Sequence, residues 1–216
     1  MAATQIITFN VNPILEADDQ RTVDDVIQEA VKALREASSS RQFVLGAQVQ
    51  DNGIVQMTSK WDSSVAQGSD SLLESLSSAL GPVEDIYHVV FHQEAVENDD
   101  PTTANVVEFV QTRFPVSRIS PEFQREIEKD FLRFDEIYLE EVKGHLGCTY
   151  GWVLETQKIE GEDVKSFFVM RGWESMDSFE QSTQTDAFKK SIPILLGWNA
   201  PFRMVRISSY KLVTGS

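Results

Sequence analysis

The same order of secondary-structure signals occurs twice along the chain, and this constrains its fold more than any other feature. In the first half, Ile6-Ile7-Thr8-Phe9-Asn10-Val11 reads as a strand that Asn12-Pro13 ends. Thr22 is placed to cap a helix with Asp24 and Asp25 in its first turn, and Val23, Val26, Ile27, Ala30, Val31 and Leu34 recur at helical spacing. Strands are expected over 43–50 and 54–61, joined at the turn signal Asp51-Asn52-Gly53. A helix over 69–80, stopped by Gly81-Pro82, and a strand over 86–92 complete the half. The second half repeats this order. A strand over 105–113 precedes a helix that starts at Ser120-Pro121-Glu122 and runs to about residue 141. Strands over 149–156 and 166–173 flank a turn at Gly161. A helical region over 176–196 follows, which Pro193 should end or kink, and then a last strand over 202–212.

The order β-α-β-β-α-β is the split βαβ, or ferredoxin-like, unit. The expected architecture is therefore α+β, with antiparallel sheets in two ferredoxin-like repeats, residues 1–97 and 105–216, joined by a linker over 98–104. The breaker-rich run Glu97-Asn98-Asp99-Asp100-Pro101-Thr102-Thr103 marks that junction. Local matches support the repetition: Lys60-Trp61-Asp62-Ser63 and Gly172-Trp173-Glu174-Ser175 end equivalent strands, and Leu45-Gly46 parallels Leu146-Gly147.

Charge narrows the range of partners. Nineteen Lys and Arg against 34 Asp and Glu give a formal net charge of −15, which repels phosphate backbones and argues against nucleic acid. No apolar run approaches the roughly 20 residues needed to cross a bilayer, and the first residues lack the pattern of a secretory signal, so no membrane partner is expected. The single cysteine, Cys148, cannot form a disulfide within the chain, which suits a reducing, cytoplasmic setting. Cys148 reads as a small buried hydrophobe rather than a nucleophile, since no base signature accompanies it.

The run Lys143-Gly144-His145-Leu146-Gly147-Cys148-Thr149-Tyr150, the run from Phe167 to Phe179 that contains Arg171-Gly172-Trp173-Glu174-Ser175, and Asp186-Ala187-Phe188 resemble the antibiotic biosynthesis monooxygenase-like (ABM-like) proteins of the dimeric α/β-barrel superfamily. The resemblance covers nearly all of the second half and the first half more loosely. It implies that the two repeats form an internal pseudo-dimer, a dimeric α/β barrel within one chain, either a monomer or a weak homodimer. It also implies a cavity for a small-molecule aromatic ligand. Family activities include cofactor-free oxidation of polycyclic phenols by O2, haem degradation, muconolactone isomerisation and polyketide cyclisation. The haem-degrading pattern combines an Asn on the first strand, a Trp ending the third and a His on the following helix. Asn10 and Trp61 fit, but no His lies between Trp61 and His88 and none follows Trp173.

Among residues able to do chemistry, His88 and His92 stand out because imidazole titrates near neutrality. Tyr87, Val89 and Phe91 form the apolar face expected to pack on helices, so His88 and His92 are expected to face the barrel interior. Their backbones would lie about 13 Å apart, too far to share a metal. Each is either a general base or a hydrogen-bonded structural residue. Trp61, Trp152 and Trp173 either stack on a ligand or anchor the core, and Gly151 could open room beside Trp152. Asn10, Glu108, Arg206 and Tyr210 lie on strand faces where a carboxylate and a guanidinium could orient a phenol or stabilise an enolate. No nucleotide, flavin or metal signature appears, so no cofactor is expected. Three functions follow: a cofactor-independent monooxygenase acting on an aromatic or polyketide-type molecule, a cyclase using a His base, or a non-catalytic binding or structural pseudo-dimer.

Overall fold

The computed structural model describes residues 3–17, 20–36, 42–61, 70–92 and 101–214. Its contacts divide the chain into two units, residues 1–92 with 205–216, and residues 93–204.

The first unit runs β1 (Ala3–Asn10), α1 (Asn12–Ala17), α2 (Val23–Glu36), β2 (Gln42–Gln48), β3 (Ile54–Trp61), α3 (Asp70–Leu80) and β4 (Val83–Phe91). The start of α2 is set by a reciprocal cap: Thr22 Oγ1 accepts from the Asp25 N–H at 3.2 Å, and the Asp25 carboxylate accepts from the Thr22 N–H at 2.9 Å. In the sheet, β1 lies between β3 and β4, with β2 outside β3, all antiparallel. That central pairing of first and third strands is the split βαβ arrangement. Ile7, Phe9, Leu45 and Met57 form the core side of the sheet against Ile27, Leu34 and Leu76 of the helices. The last strand, β9 (Phe202–Thr214), returns to this unit, and its residues from Ile207 onward run antiparallel to β2.

The register of β4 reverses the expected assignment of its faces. Ile7, a core residue, pairs with Ile86, and Gln5 pairs with His88. Directly paired residues of an antiparallel ladder share a face. Ile86 and His88 therefore lie on the helix side of the sheet, and Tyr87 and Val89 lie on the reverse side with Ile6. The reason is that the helical core takes only Val83 from β4, brought opposite Phe9 by a bulge at Thr8/Phe9. Beyond it, no β4 side chain among the described residues joins that core, and the strand's apolar alternation carries no information about which side the helices take.

The second unit contains β5 (Val106–Pro115), α4 (Pro121–Tyr138), β6 (His145–Val153), β7 (Gln157–Ile159), β8 (Glu162–Trp173), α5 (Met176–Ser182), α6 (Asp186–Leu196) and the opening residues of β9. β8 is flanked by β5 and β6, and the Arg113 N–H of β5 donates to the Pro201 carbonyl just before β9. Ser120 caps α4 by accepting from the Phe123 N–H at 3.1 Å, with Pro121 in the first turn where its missing N–H costs nothing.

Two local expectations change here. The strand expected over 149–156 runs from His145 to Val153, so it opens four residues earlier. The helical region divides at Thr183–Thr185 into α5 and α6, and Pro193 lies inside α6 instead of ending it. New donors at the break have partners: Thr185 Oγ1 accepts from the Phe188 N–H at 3.1 Å, and Glu141 Oε2 accepts from the Asp186 and Ala187 N–H groups at 3.1 and 3.3 Å. Past Pro193 the helix closes by a Gly197 N–H bond to the Pro193 carbonyl at 3.0 Å. The expected linker falls partly on residues 98–100, which lie outside the described residues, and Pro101–Thr103 forms a 3₁₀ turn. Among the described residues, no helix is long and apolar enough to cross a membrane.

Gly81 ends α3 with φ +82°, and a Cβ there would lie 2.2 Å from the Asn10 carbonyl oxygen. Neither the left-handed backbone nor a β1 carbonyl can yield cheaply. Gly81→Ala is expected to destabilise the protein by more than about 1 kcal/mol in urea unfolding followed by circular dichroism.

Candidate functional site: a cavity under the helices of the second unit

On the helix side of the second sheet, side chains line up in rows across three strands. Val110, Val169 and Tyr150 form an apolar row, and Thr112, Phe167 and Trp152 form the next. The row between Val110 and Val106 is polar: Glu108 on β5, Arg171 on β8 and Cys148 on β6. Three adjacent strands thus bring a carboxylate, a guanidinium and a thiol together in an aromatic wall.

α4 supplies the facing surface. Phe131, Phe134 and Tyr138 recur on its apolar side: Phe131 packs against Tyr150 and Phe167, Tyr138 against Trp173, and Phe134 stacks on Tyr138. Asp135, on the same helix, forms a buried ion pair with Arg171. Arg171 is only 3% exposed, and its Cζ lies 5.2 Å from the Tyr138 ring centroid, a cation–π contact. Glu108, 8% exposed, accepts a hydrogen bond from Trp173 Nε1 at 3.1 Å. The Tyr138 hydroxyl donates to Ser182 Oγ at 2.5 Å, and Ser182 Oγ in turn donates to the Phe179 carbonyl at 2.6 Å.

Burial sets the protonation of this group. It pushes the Cys148 thiol up to about 12, with Arg171 pulling the other way. It also pushes the Tyr138 phenol up to about 12, opposed by the Ser182 hydrogen bond and by Arg171. For Arg171, burial works against the charge, and Cys148, Asp135 and Glu108 outweigh it and raise its pKa. Cys148 and Tyr138 are neutral at physiological pH, and Arg171 is a permanent cation.

Between this wall and the helices lies a cavity of about 600 Å³, within the range of small-molecule sites. Glu108, Thr112 and Arg171 line its sheet side, with Phe131, Phe134 and Tyr138 from α4. Phe179, Phe188, Ile192 and Leu195 come from α5 and α6, and Trp198 to Phe202 with Met204 close the circuit. Leu196 and Phe202 line it while 59% and 58% exposed, so they mark its mouth.

The residues singled out from the sequence fall in several places. Glu108 lines the cavity, and Trp173 stands behind it as the hydrogen-bond donor to Glu108. Trp152 packs on Phe114 and Phe167 and donates to Glu128 Oε1 at 2.8 Å. Gly151 pairs with Phe168, on the sheet face opposite the cavity. Asn10, His88, His92 and Arg206 belong to the first unit. Asn10 Oδ1 accepts from the Asn12 N–H at 3.1 Å, where the chain turns into α1. His88 Nε2 and Gln5 Nε2 are hydrogen-bonded at 3.2 Å, and His92 is exposed past the end of β4. The Arg206 N–H donates to Gln50 Oε1 at 3.1 Å. The side chains of Trp61 and Tyr210 lie outside the described residues. Arg171, Asp135, Tyr138 and Trp198 were not among the candidates. The signal for Arg171 was present, because a cation two residues before Trp173 shares a face with it in a strand.

Residues 116–193 match the family model described as Antibiotic biosynthesis monooxygenase. The matched segment contains α4, β6, β7, β8, α5 and most of α6, and it supplies part of the cavity lining, including Phe131, Tyr138, Arg171 and Phe188. Curated proteins give no match. Among solved structures, an anthrone oxidase-like protein aligns with a TM-score of 0.59 at 14% identity, covering 98% of this chain and 93% of its own. A candidate monooxygenase from Lactobacillus acidophilus aligns at 0.56 and 8% identity, over 99% and 96%. A candidate chlorite dismutase aligns at 0.53 and 8% identity, over 96% and 93%. The chain thus has the α+β, ferredoxin-like fold of these proteins, and the part that matches the family model lies in its second unit. Their different names show that the fold by itself does not choose a reaction.

The buried, neutral Cys148 is expected to stay unreactive. At pH 8 the native protein should give no thionitrobenzoate release with Ellman's reagent, and guanidinium unfolding should release one equivalent. Because burial raises the thiol from its ordinary 9.0 to about 12, ionisation opposes folding, and this contribution to stability fades as pH rises through that interval.

Proposed function

We propose that this protein is a cofactor-independent, monooxygenase-like enzyme that acts on an aromatic or polyketide-type small molecule held in the cavity of its second unit. The observation that carries this reading is the cavity itself: aromatic walls of the right size for a fused-ring ligand, with one buried polar row, lined in part by the segment that matches the ABM family model. An aromatic substrate would pack edge-to-face or offset on Phe131, Phe134, Phe188 and Trp198.

The chemistry balances without a protein-bound redox group. A ring CH2 activated by a neighbouring carbonyl loses a proton to a base and becomes an electron-rich enolate. The enolate is oxidised by O2 to a carbon-bound peroxide. Loss of water then leaves a new carbonyl, so one O2 is consumed, one of its oxygens enters the product and the other leaves as water. The protein's contributions are orientation, exclusion of water and stabilisation of developing negative charge. His88 and His92 lie in the first unit, and the carboxylate that lines the cavity itself is Glu108.

The test is incubation of the purified protein under air with anthrones, hydroquinones and linear polyketide mimics, with products followed by mass. Replacement of two hydrogens by one oxygen in an anthrone, above the buffer rate, is the expected result. Dehydration without oxygen gain would instead identify a cyclase. Unchanged masses with saturable quenching of tryptophan fluorescence would identify a binding protein. His88→Ala and His92→Ala are expected to retain turnover within about threefold, whereas loss of a general base costs roughly 10²-fold or more.

A further inference from the structure

Each polar side chain that lines the cavity has a partner in the second unit, with one exception. Glu108 accepts from Trp173, Arg171 is paired with Asp135, and the Tyr138 hydroxyl is bonded to Ser182. Thr183 Oγ1 donates to the Glu180 carbonyl at 2.8 Å, and Asn199 Nδ2 donates to the Gly197 carbonyl at 3.2 Å. The Thr112 hydroxyl has no hydrogen-bond partner among the described residues, although Thr112 lines the cavity and is only 6% exposed. Its oxygen is not sealed off, in contrast to the fully enclosed Arg171 Nη1.

A threonine is chemically out of place at this position. Thr112 shares a row with Phe167 and Trp152, and the preceding cavity-facing residue of β5 is Val110. Valine has the shape of threonine, is equally at home in a strand, and would bring no polar group into an apolar wall. The Arg113 N–H bond to the Pro201 carbonyl sets Thr112 at the Pro201–Phe202 end of the cavity, near its mouth. Glu108 lies on the same face of β5, four residues or about 13 Å away along the strand. The cavity thus has polar groups at two ends of one strand and an apolar stretch between them.

We infer that Thr112 is a specificity-determining residue, whose hydroxyl bonds an oxygen substituent on the mouth-side ring of a ligand lying along β5. This rests on the proposed reading of the cavity as an aromatic site and is independent of the reaction carried out there. Threonine both donates and accepts, so the substituent is a hydroxyl or a carbonyl. A ligand that fills the cavity excludes water from the Thr112 hydroxyl. An oxygen at that point restores the lost hydrogen bond, whereas a methyl group leaves the hydroxyl buried and unpaired. The wall therefore discriminates between molecules of equal size by a single group.

The test compares shape-matched partners on both sides of the contact. 2-Hydroxyanthraquinone and 2-methylanthraquinone differ in one substituent on an end ring, and Thr112→Val removes the hydroxyl from the wall. Dissociation constants are read from quenching of tryptophan fluorescence, since Trp198 is part of the lining. The wild type should bind the hydroxy compound about tenfold more tightly than the methyl compound, and Thr112→Val should abolish or reverse that preference. Thr112→Ser keeps a hydroxyl and should keep the preference. Thr112→Ala provides a second hydroxyl-free variant should valine not be tolerated, and circular dichroism checks that each variant is folded. The same ratio of affinities in the wild type and a folded hydroxyl-free variant overturns the assignment, as does a wild-type preference for the methyl compound. Either result leaves the aromatic cavity standing. If neither compound binds the wild type, the fused-ring reading of the cavity falls and the assignment falls with it.

Discussion

A guanidinium withdrawn from water between a sheet and a helix cannot stand alone, and the second unit is organised around meeting that demand. Arg171 reaches from the central strand of its sheet to Asp135 on α4, under the Tyr138 ring. Breaking such a pair by removing one partner typically costs about 3–5 kcal/mol, because the remaining charge is left buried. The pair therefore ties the helix to the sheet at the place where the cavity opens between them. The aromatic contacts around it, Phe134 on Tyr138 and Tyr138 on Trp173, supply packing without further polar groups. One fixed charge, held by one helix, thus sets the most polar part of a cavity whose lining is otherwise mostly apolar and aromatic.

The same row shows why burial, and not the neighbouring cation, sets the thiol of Cys148. Electropositive neighbours lower a thiol's pKa only when the thiol stays partly solvated. Here burial outweighs Arg171, whose charge is already engaged by Asp135. Proximity in the ladder and chemical activation are different properties, and this site separates them.

Much of the fold could be read in the sequence because its local signals agree with one another. Thr22, Ser120 and Gly81 marked helix ends through hydrogen bonding and backbone geometry, which act over a few residues. The faces of β4 could not be read, because side-chain alternation gives a period and not a direction. Which face meets the helices depends on pairing with β1 and on the bulge at Thr8/Phe9. The helical region over 176–196 misled for a related reason: Pro193 was visible as a breaker, but the caps that divide the segment at Thr185 include Glu141, distant in sequence. Glu108 was recognised from its strand pattern. Arg171 was not, since its importance depends on Asp135 and on Glu108, 36 and 63 positions away, meeting it in space.

The mouth of the cavity has a consequence for what can enter it. Leu196 and Phe202 hold apolar surface open to solvent at the rim. Contact there rewards the apolar part of a molecule first, whatever polar groups it carries elsewhere. The one buried cation of the wall, Arg171, lies behind that rim, where ions of the solvent do not compete for it.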